Sequence, residues 1–377
     1  MKLEQDILKL FDLFHQNNKE LYIIGGAVRD YLLGIQTYDY DFTTDALPDE
    51  ICEILKDYHL DTYQKKIGSI KVHLENNVYE ITTMRKDIGV INERYPEKVE
   101  FITNLEEDVL RRDFTINSIA YSTNKGIVDY LNGSNDIALK QIRFIKDVET
   151  SVKEDAIRII RALRFSLSLG FSIDNNTYNV LSKYASNVSL LGIIRYNELF
   201  RLLSIEGSYQ FIESHFNIYK LAYPEIDSVL FKRLLNSKIS SVLFRIAVCF
   251  LGELDYQLTK EEKIIYDGLV NIDLSKHDLF SVKLLMIKYQ AALNDILTIL
   301  YTLGADVTQI YENIDIIVNE HHALTIKDLK IDYNDLKELG ILQKDYSKIF
   351  KYLLNEVLKD NNKNNKNTLI DIVKKYS

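Results

Sequence analysis

Apolar and polar positions change period along this chain. Near the N-terminus they form short runs of strand type: Leu21 to Ile24, Tyr38 to Thr43, Ser69 to Leu74, Val78 to Thr83 and Val99 to Thr103. From about Ser151 onward strand signals nearly vanish and long segments with helical spacing replace them, at 152–169, 176–186, 195–205, 229–252, 259–270, 278–303 and 335–357. Residues 1–20 read as an amphipathic entry helix, and Leu47-Pro48-Asp49-Glu50 opens another that runs to about Asp57, with proline in the first turn and acids where the helix dipole favours them. The runs at 69–74 and 78–83 predict a β-hairpin. The fold class is therefore α+β, with a head built on a small mixed or antiparallel sheet and helices, then an elongated all-α neck, body and tail. The boundaries read as 1–145 for the head, 146–205 for the neck, 206–358 for the body and 359–377 for a polar linker with a terminal helix. The linker is the low-complexity run Asp360 to Asn367, expected to be flexible.

Composition narrows the function classes. With 377 residues, 46% apolar and 27% charged, the chain has ample length for a proper core. No stretch reaches the uninterrupted apolar length of a membrane helix, which places the expected location in the cytoplasm with no membrane partner. Two distant cysteines and seven scattered histidines lack the spacing of disulfide or zinc frameworks. A net charge of −9 argues against general stickiness for nucleic acid but allows one basic groove on an acidic body. Residues 205–377 carry no His-Asp metal cluster, so a fused phosphohydrolase is set aside.

The candidate chemistry lies in Leu21 to Asp45. The apolar run ends in Gly25-Gly26, a short helical segment carries Arg29 and Asp30, and Asp39 and Asp41 follow at a pleat repeat, sharing a strand face with Thr43. Adjacent carboxylates repel unless a cation neutralises them, and oxygen ligands suit a hard ion such as Mg2+, held by one or two carboxylates and substrate phosphates. Glycines without β-carbons let backbone N–H groups approach those phosphates, and the Arg29 guanidinium can pair with them. Aspartates two apart and a Gly-Gly bend are each also common structural features.

Three further clusters carry polar chemistry. Arg111-Arg112-Asp113 with Asn117 can hold a triphosphate and accept from a ribose hydroxyl, or can be a surface ion-pair cluster. On a helix from Glu154 to Phe165, Glu154, Asp155, Arg158 and Arg161 fan over one side while Ala156, Ile160 and Leu163 line the other, with Arg164 beside the apolar stripe. The charged side is either a solvated face, its pairs worth a few tenths of a kcal/mol each, or a reader of bases. A carboxylate accepts from an exocyclic amine and a guanidinium donates to a ring acceptor, so Asp155 and Arg158 together fit the edge shared by cytosine and adenine. Glu80, ending the hairpin, is either a third carboxylate near the metal or an exposed strand acid.

These motifs resemble the nucleotidyltransferase signature of the DNA polymerase beta superfamily. Gly-Gly-x-Val-Arg-Asp with a downstream Asp-x-Asp-Phe, RRDFTINSIAY at 111–121, Asp129 to Arg143 and Glu154-Asp155-x-x-Arg158 are similar to the class II, bacterial-type CCA-adding tRNA nucleotidyltransferase and poly(A) polymerase family. A fifth, partial motif lies at Ile193 to Leu203, and the resemblance covers about residues 20–205. It implies template-independent addition of C, C and A to a tRNA 3′ end from CTP and ATP, with magnesium held by Asp39 and Asp41 and pyrophosphate released. It assigns nucleotide binding to Gly25, Gly26, Arg29, Arg112, Asp113, Asn117, Glu154, Asp155, Arg158, Arg161 and Arg164. The Asp129 to Arg143 motif is read as structural, joining head to neck. Arg85 and Arg94 flank a loop that the family uses in switching from C to A, with Val90 and Asn92 where Tyr and Asp are usual. Ala156 stands where the family usually has proline. By the same resemblance the helical body holds the acceptor stem and elbow of tRNA by shape and backbone. Poly(A) synthesis, CC-only or A-only addition, and a non-catalytic RNA-binding relative remain as alternatives.

Overall fold

The computed structural model describes residues 1, 3–75, 77–89, 96–254 and 256–376. It divides into two compact units, Met1–Pro224 and Glu225–Ser377. In the first, helix α1 (Gln5–Gln16) buries Ile7, Leu10, Phe11 and Phe14, the spacing of one helical face. It leads into strand β1 (Leu21–Ile24), whose four residues are all buried because β1 is internal to the sheet. Helix α2 (Gly26–Leu32), β2 (Asp41–Thr44) and α3 (Pro48–Ile54) follow. Next come the strands β3 (His59–Asp61), β4 (Ser69–Leu74) and β5 (Asn77–Thr83). Strands β6 (Arg85–Ile88) and β7 (Lys98–Phe101), helix α4 (Leu105–Val109), strands β8 (Ala120–Ser122) and β9 (Gly126–Val128), and α5 (Gly133–Ala138) complete the head. Among the described residues the main sheet has seven strands in the order β3-β4-β5-β2-β1-β8-β9, antiparallel except where β2 runs parallel to β5. The expected mixed sheet and hairpin are both present.

Alternation along β2 sorts its side chains as expected. Phe42 turns toward α1 and packs edge-on against Phe11 and Tyr79, at ring separations of 6.2 and 5.8 Å. Thr43 faces the other way, its hydroxyl donating to Asp108 of α4 at 3.5 Å. Burying Phe42 contributes roughly 1.5–3 kcal/mol, which fixes the register and with it the face that Asp41 occupies. One detail differs: β2 begins at Asp41, so Asp39 stands two residues before the strand rather than within it. Strands β6 and β7 pair as a separate ribbon, so the loop expected after Thr83 begins with a strand. The short strands β3, β8 and β9 had no legible alternation in the sequence.

The helical part of this unit comprises α6 (Val148–Glu154), α7 (Ile157–Leu169), α8 (Asn175–Lys183) and α9 (Ile194–Leu203), with shorter helices Ser208–Ser214 and Phe216–Ala222 after it. The single helix expected through Glu154 to Phe165 is interrupted. Asp155 is extended (φ −151°, ψ 101°) and terminates α6, and its Oδ1 accepts from the Ile157 N–H at 3.2 Å as α7 starts. Glu154 and Asp155 therefore do not share a helical face with Arg158 and Arg161. An aspartate's side chain competes for backbone donors, which is why it breaks a helix that periodicity alone continues. Ala156 has φ −63°, the angle a proline ring would impose, so alanine there leaves the turn unchanged.

The second unit is helical. The expected runs at 229–252 and 278–303 are each two helices, split where Ser240 caps Ser241–Leu251 and where Gln290 takes φ 48° after Leu279–Tyr289. Its C-terminal core gathers Leu336, Ile349, Phe350, Leu353, Val357, Leu369 and Val373. The asparagine run is not a free linker. Asn361 accepts from the Ala323 N–H at 3.3 Å, and Asn364 accepts from the Lys330 N–H and donates to the Asp328 carbonyl, both at 2.9 Å. Low complexity misled here because the Asn361 and Asn364 amides find backbone partners distant in sequence. No helix among the described residues is long and apolar enough to cross a membrane.

Candidate active site

The pairing of β1 with its neighbours assembles the site. Ile24 at the end of β1 is opposite Asp41 at the start of β2 and Ala120 of β8, so the Gly25-Gly26 turn, the aspartates and the residues before β8 meet at one end of the sheet. Gly25 has φ 83° and ψ −131°, a conformation open to glycine at little cost, and its N–H donates to the Ile119 carbonyl at 3.3 Å. A cavity of about 1110 Å³ opens there. It gathers residues that the sequence holds far apart: Gly25, Gly26, Arg29, Asp39, Asp41, Arg85, Arg112, Asp113, Asn117, Glu154, Asp155, Arg158 and Arg161 all line it. Arg164 and Glu80 are not among its lining residues. Arg94, Val90 and Asn92 lie outside the described residues.

Acidic groups occupy one part of the wall. Burial raises the pKa of Asp41, and the charges of Asp39 and Glu80 raise it further. Glu80 is opposite Asp41 in the parallel β2–β5 register but accepts a hydrogen bond from Ser69 Oγ at 2.5 Å. Among the described residues no group of three or more His, Cys, Asp or Glu is arranged to hold a metal ion, so the acidic contribution here is the Asp39–Asp41 pair.

Guanidinium groups also line the cavity, held by acceptors. Asp108 is fully buried and accepts from Arg111 Nε at 2.8 Å, Arg112 Nη2 at 3.2 Å and the Arg85 N–H at 3.1 Å. Burial alone would raise its pKa, but Arg112 and Arg111 hold it below the usual carboxylate value. Asp113 is equally committed: Oδ1 accepts from the Phe114 N–H (2.8 Å) and Asn117 Nδ2 (3.1 Å), and Oδ2 takes Arg161 Nε (2.8 Å) and Nη2 (2.6 Å). Burial works to raise its pKa too, and Arg161 with Asn117 keeps it depressed. Arg29 Nη1 donates to Asn117 Oδ1 at 2.7 Å. Arg158 is buried and donates to the carbonyls of Arg111 (2.9 Å) and Ser151 (3.3 Å) and to Glu154 (3.3 Å). Arg164 turns to Glu198 of α9, at 2.7 Å, which also holds Arg201 at 2.9 Å.

The Asp129 to Arg143 motif supports this wall from behind. Asp129 accepts from the N–H groups of Gly133 and Ser134 at 2.9 and 2.8 Å, and Asp136 accepts from Thr115 Oγ1 at 2.6 Å and Arg143 Nε at 3.1 Å. A β-carbon on Gly133 would overlap the Thr115 carbonyl, so α5 packs against the RRDFT segment as closely as its backbone allows. Sequence reasoning missed Asp108, hidden in the acidic stretch Glu106-Glu107-Asp108. Its distance of three and four residues from Arg111 and Arg112 was the available signal.

Residues 21–143 match the Poly A polymerase head domain family. Over this head the chain is similar to that family. The CCA-adding enzyme of Staphylococcus aureus (strain MRSA252) is 36% identical over 209 residues, which are 54% of this chain and 52% of that protein. The chain thus spans about half the length of the curated relatives it matches. Solved structures extend the likeness in fold. The Bacillus stearothermophilus CCA-adding enzyme in complex with CTP superposes with a TM-score of 0.61 at 21% identity, covering 95% of this chain and 93% of that one. The Thermotoga maritima CCA-adding enzyme complexed with tRNA gives 0.61 at 18% identity over 100% and 97%. The likeness in fold thus continues past the head into the helices that follow it.

Proposed function

We propose that the chain is a template-independent nucleotidyltransferase that adds C, C and A to the 3′ end of tRNA from CTP and ATP, releasing pyrophosphate. One observation carries this reading: a single cavity is lined both by an aspartate pair and by several guanidinium groups held by acceptors. A carboxylate whose pKa is raised by burial and by neighbouring acids gains from a cation beside it. The residues present therefore fit magnesium, and Asp39 and Asp41 would hold it. When bound, the ion polarises phosphate oxygens and eases deprotonation of an attacking hydroxyl.

The chain's own residues supply the rest. Gly26 offers its backbone N–H at the start of α2, and Arg29 and Arg112, which line the same cavity, would grip a triphosphate. Asp113 has both carboxylate oxygens doubly occupied, so it serves the nucleotide by orienting Asn117 and Arg161 rather than by accepting from the ribose directly. Arg158, held by two backbone carbonyls, and Asp155, at the mouth of α7, present donor and acceptor at positions set before any nucleotide arrives. A fixed donor–acceptor pattern matches cytosine and adenine and leaves uracil and guanine with unpaired groups, which is costly in a buried site. The location in the cytoplasm and recognition of the acceptor stem and elbow by the helical body belong to the same reading, as does the division at 145, 205 and 358. A poly(A) polymerase or a CC-adding enzyme would use the same cavity.

The test is incubation of purified protein with magnesium and tRNA transcripts ending at the discriminator base, at C and at CC, with CTP, ATP or both, and sequencing of the products. Growth by CCA followed by arrest is expected. Arrest at CC would make it a CC-adding enzyme, and an unlimited A tail would overturn the reading in favour of a poly(A) polymerase.

A further inference from the structure

Phe165 lies on α7, is 7% exposed, and lines the cavity. Three guanidinium groups surround its ring: Arg164 at 4.2 Å from the centroid, Arg29 at 5.1 Å and Arg161 at 5.4 Å. Arg161 and Arg164 are placed there by the helix itself, four and one residues earlier. Arg29 reaches the ring from α2. Phe114, of the RRDFT segment, meets the ring edge-on at 5.8 Å.

The ring closes a circuit that hydrogen bonds leave open. Arg29 donates to Asn117, Asn117 donates to Asp113, and Asp113 accepts from Arg161, at 2.7, 3.1 and 2.8 Å. Arg161 and Arg29 then meet again on Phe165. Like-charged groups this close need both counter-charges and a surface that tolerates cations out of water, and an aromatic face supplies the second through its quadrupole. A leucine of similar volume would fill the space and offer no such face.

We infer that Phe165 is a positioning residue for nucleotide binding, seating Arg29 from the head and Arg161 from the neck on one ring so that they engage a nucleotide as one unit. This rests on the proposed nucleotidyltransferase reading. Phe165 touches no reacting atom, and its effect falls on binding.

The test measures CTP binding by calorimetry in magnesium, without RNA, and steady-state CTP addition to a tRNA transcript ending at the discriminator base. Wild type is compared with Phe165→Leu, Phe165→Met and Phe165→Tyr, with circular dichroism to verify folding. The expected result is a roughly tenfold loss of CTP affinity in the Leu and Met variants, as for a lost desolvated cation–π contact. KM should rise by the same factor with kcat nearly unchanged, and Tyr, which keeps the ring face, should restore wild-type values. Folded Leu and Met variants that bind CTP like wild type would overturn the inference. So would a Tyr variant as weak as Leu, or loss of the fold in both Leu and Met variants, which would make Phe165 a packing residue only. Wild type that binds CTP but adds nothing to RNA, with Leu still weakening binding, would sink the functional reading and leave this inference standing.

Discussion

Replacing Asp108 by asparagine tests how the arginine wall is held. The side chain keeps its shape but loses the charge that three donors converge on: Arg111 Nε, Arg112 Nη2 and the Arg85 N–H, at 2.8, 3.2 and 3.1 Å. Asp108 is fully buried, whereas the Arg111 and Arg112 side chains keep 18% and 20% exposure, so solvent can compensate them only partly. Breaking a buried ion pair on one side costs about 3–5 kcal/mol, and this residual exposure argues for the lower end, about 3 kcal/mol. For a unit of this size each kcal/mol lowers Tm by roughly 2–4 °C, giving a drop of about 6–12 °C in a thermal melt at pH 7. The sign in pH follows from the depressed pKa. The stabilisation is complete above the unfolded aspartate value of 3.8 and is lost as pH falls through the lower folded value. The variant should lack that acid limb while matching wild type's slope at neutral pH. Arg112, freed from its anchor, should raise KM for CTP more than it lowers kcat. A melt within about 2 °C of wild type would refute the reasoning, since the buried charge would then contribute nothing.

Three other substitutions probe separate features. Asp41→Asn removes a carboxylate whose raised pKa makes ionisation unfavourable to the fold as pH rises from 3.8 through its folded value. The metal-free protein should melt higher than wild type at pH 7, while nucleotide addition disappears. Gly133→Ala drives a β-carbon into the Thr115 carbonyl and should cost about 1–3 kcal/mol, read as a lower denaturant midpoint with an unchanged slope. Lys283, 2% exposed in the second unit, has its pKa lowered by burial and makes a 3.0 Å bond to the Leu358 carbonyl. Lys283→Met should leave stability at pH 7 equal or higher, and a loss of more than about 2 kcal/mol would show that the bond outweighs the burial of the charge.

Most of the residues that line the cavity were legible in order along the chain because their types and spacings reflect local requirements. Gly25 needs a positive φ, Asp39 and Asp41 are two residues apart where the chain enters β2, and Asn117 reaches back four residues to donate to Asp113. The change from strand to helical periodicity likewise located the head and the helices after it. Three things depended on tertiary structure. The interruption at Asp155 arises because a side-chain carboxylate competes with backbone carbonyls for a backbone N–H, which periodicity does not register. Asp108 differed from Glu106 and Glu107 in the sequence only by its spacing to Arg111 and Arg112, and its burial was decided when α4 packed and turned one acid of three inward. The asparagine run at 361–364 gained order from backbone partners at Ala323, Lys330 and Asp328. Local sequence determines which conformations and chemistries a segment can offer. Which charge is buried, and against which cation, is decided only when distant segments pack, because desolvation and Coulomb energy depend on distances that the order of residues does not contain.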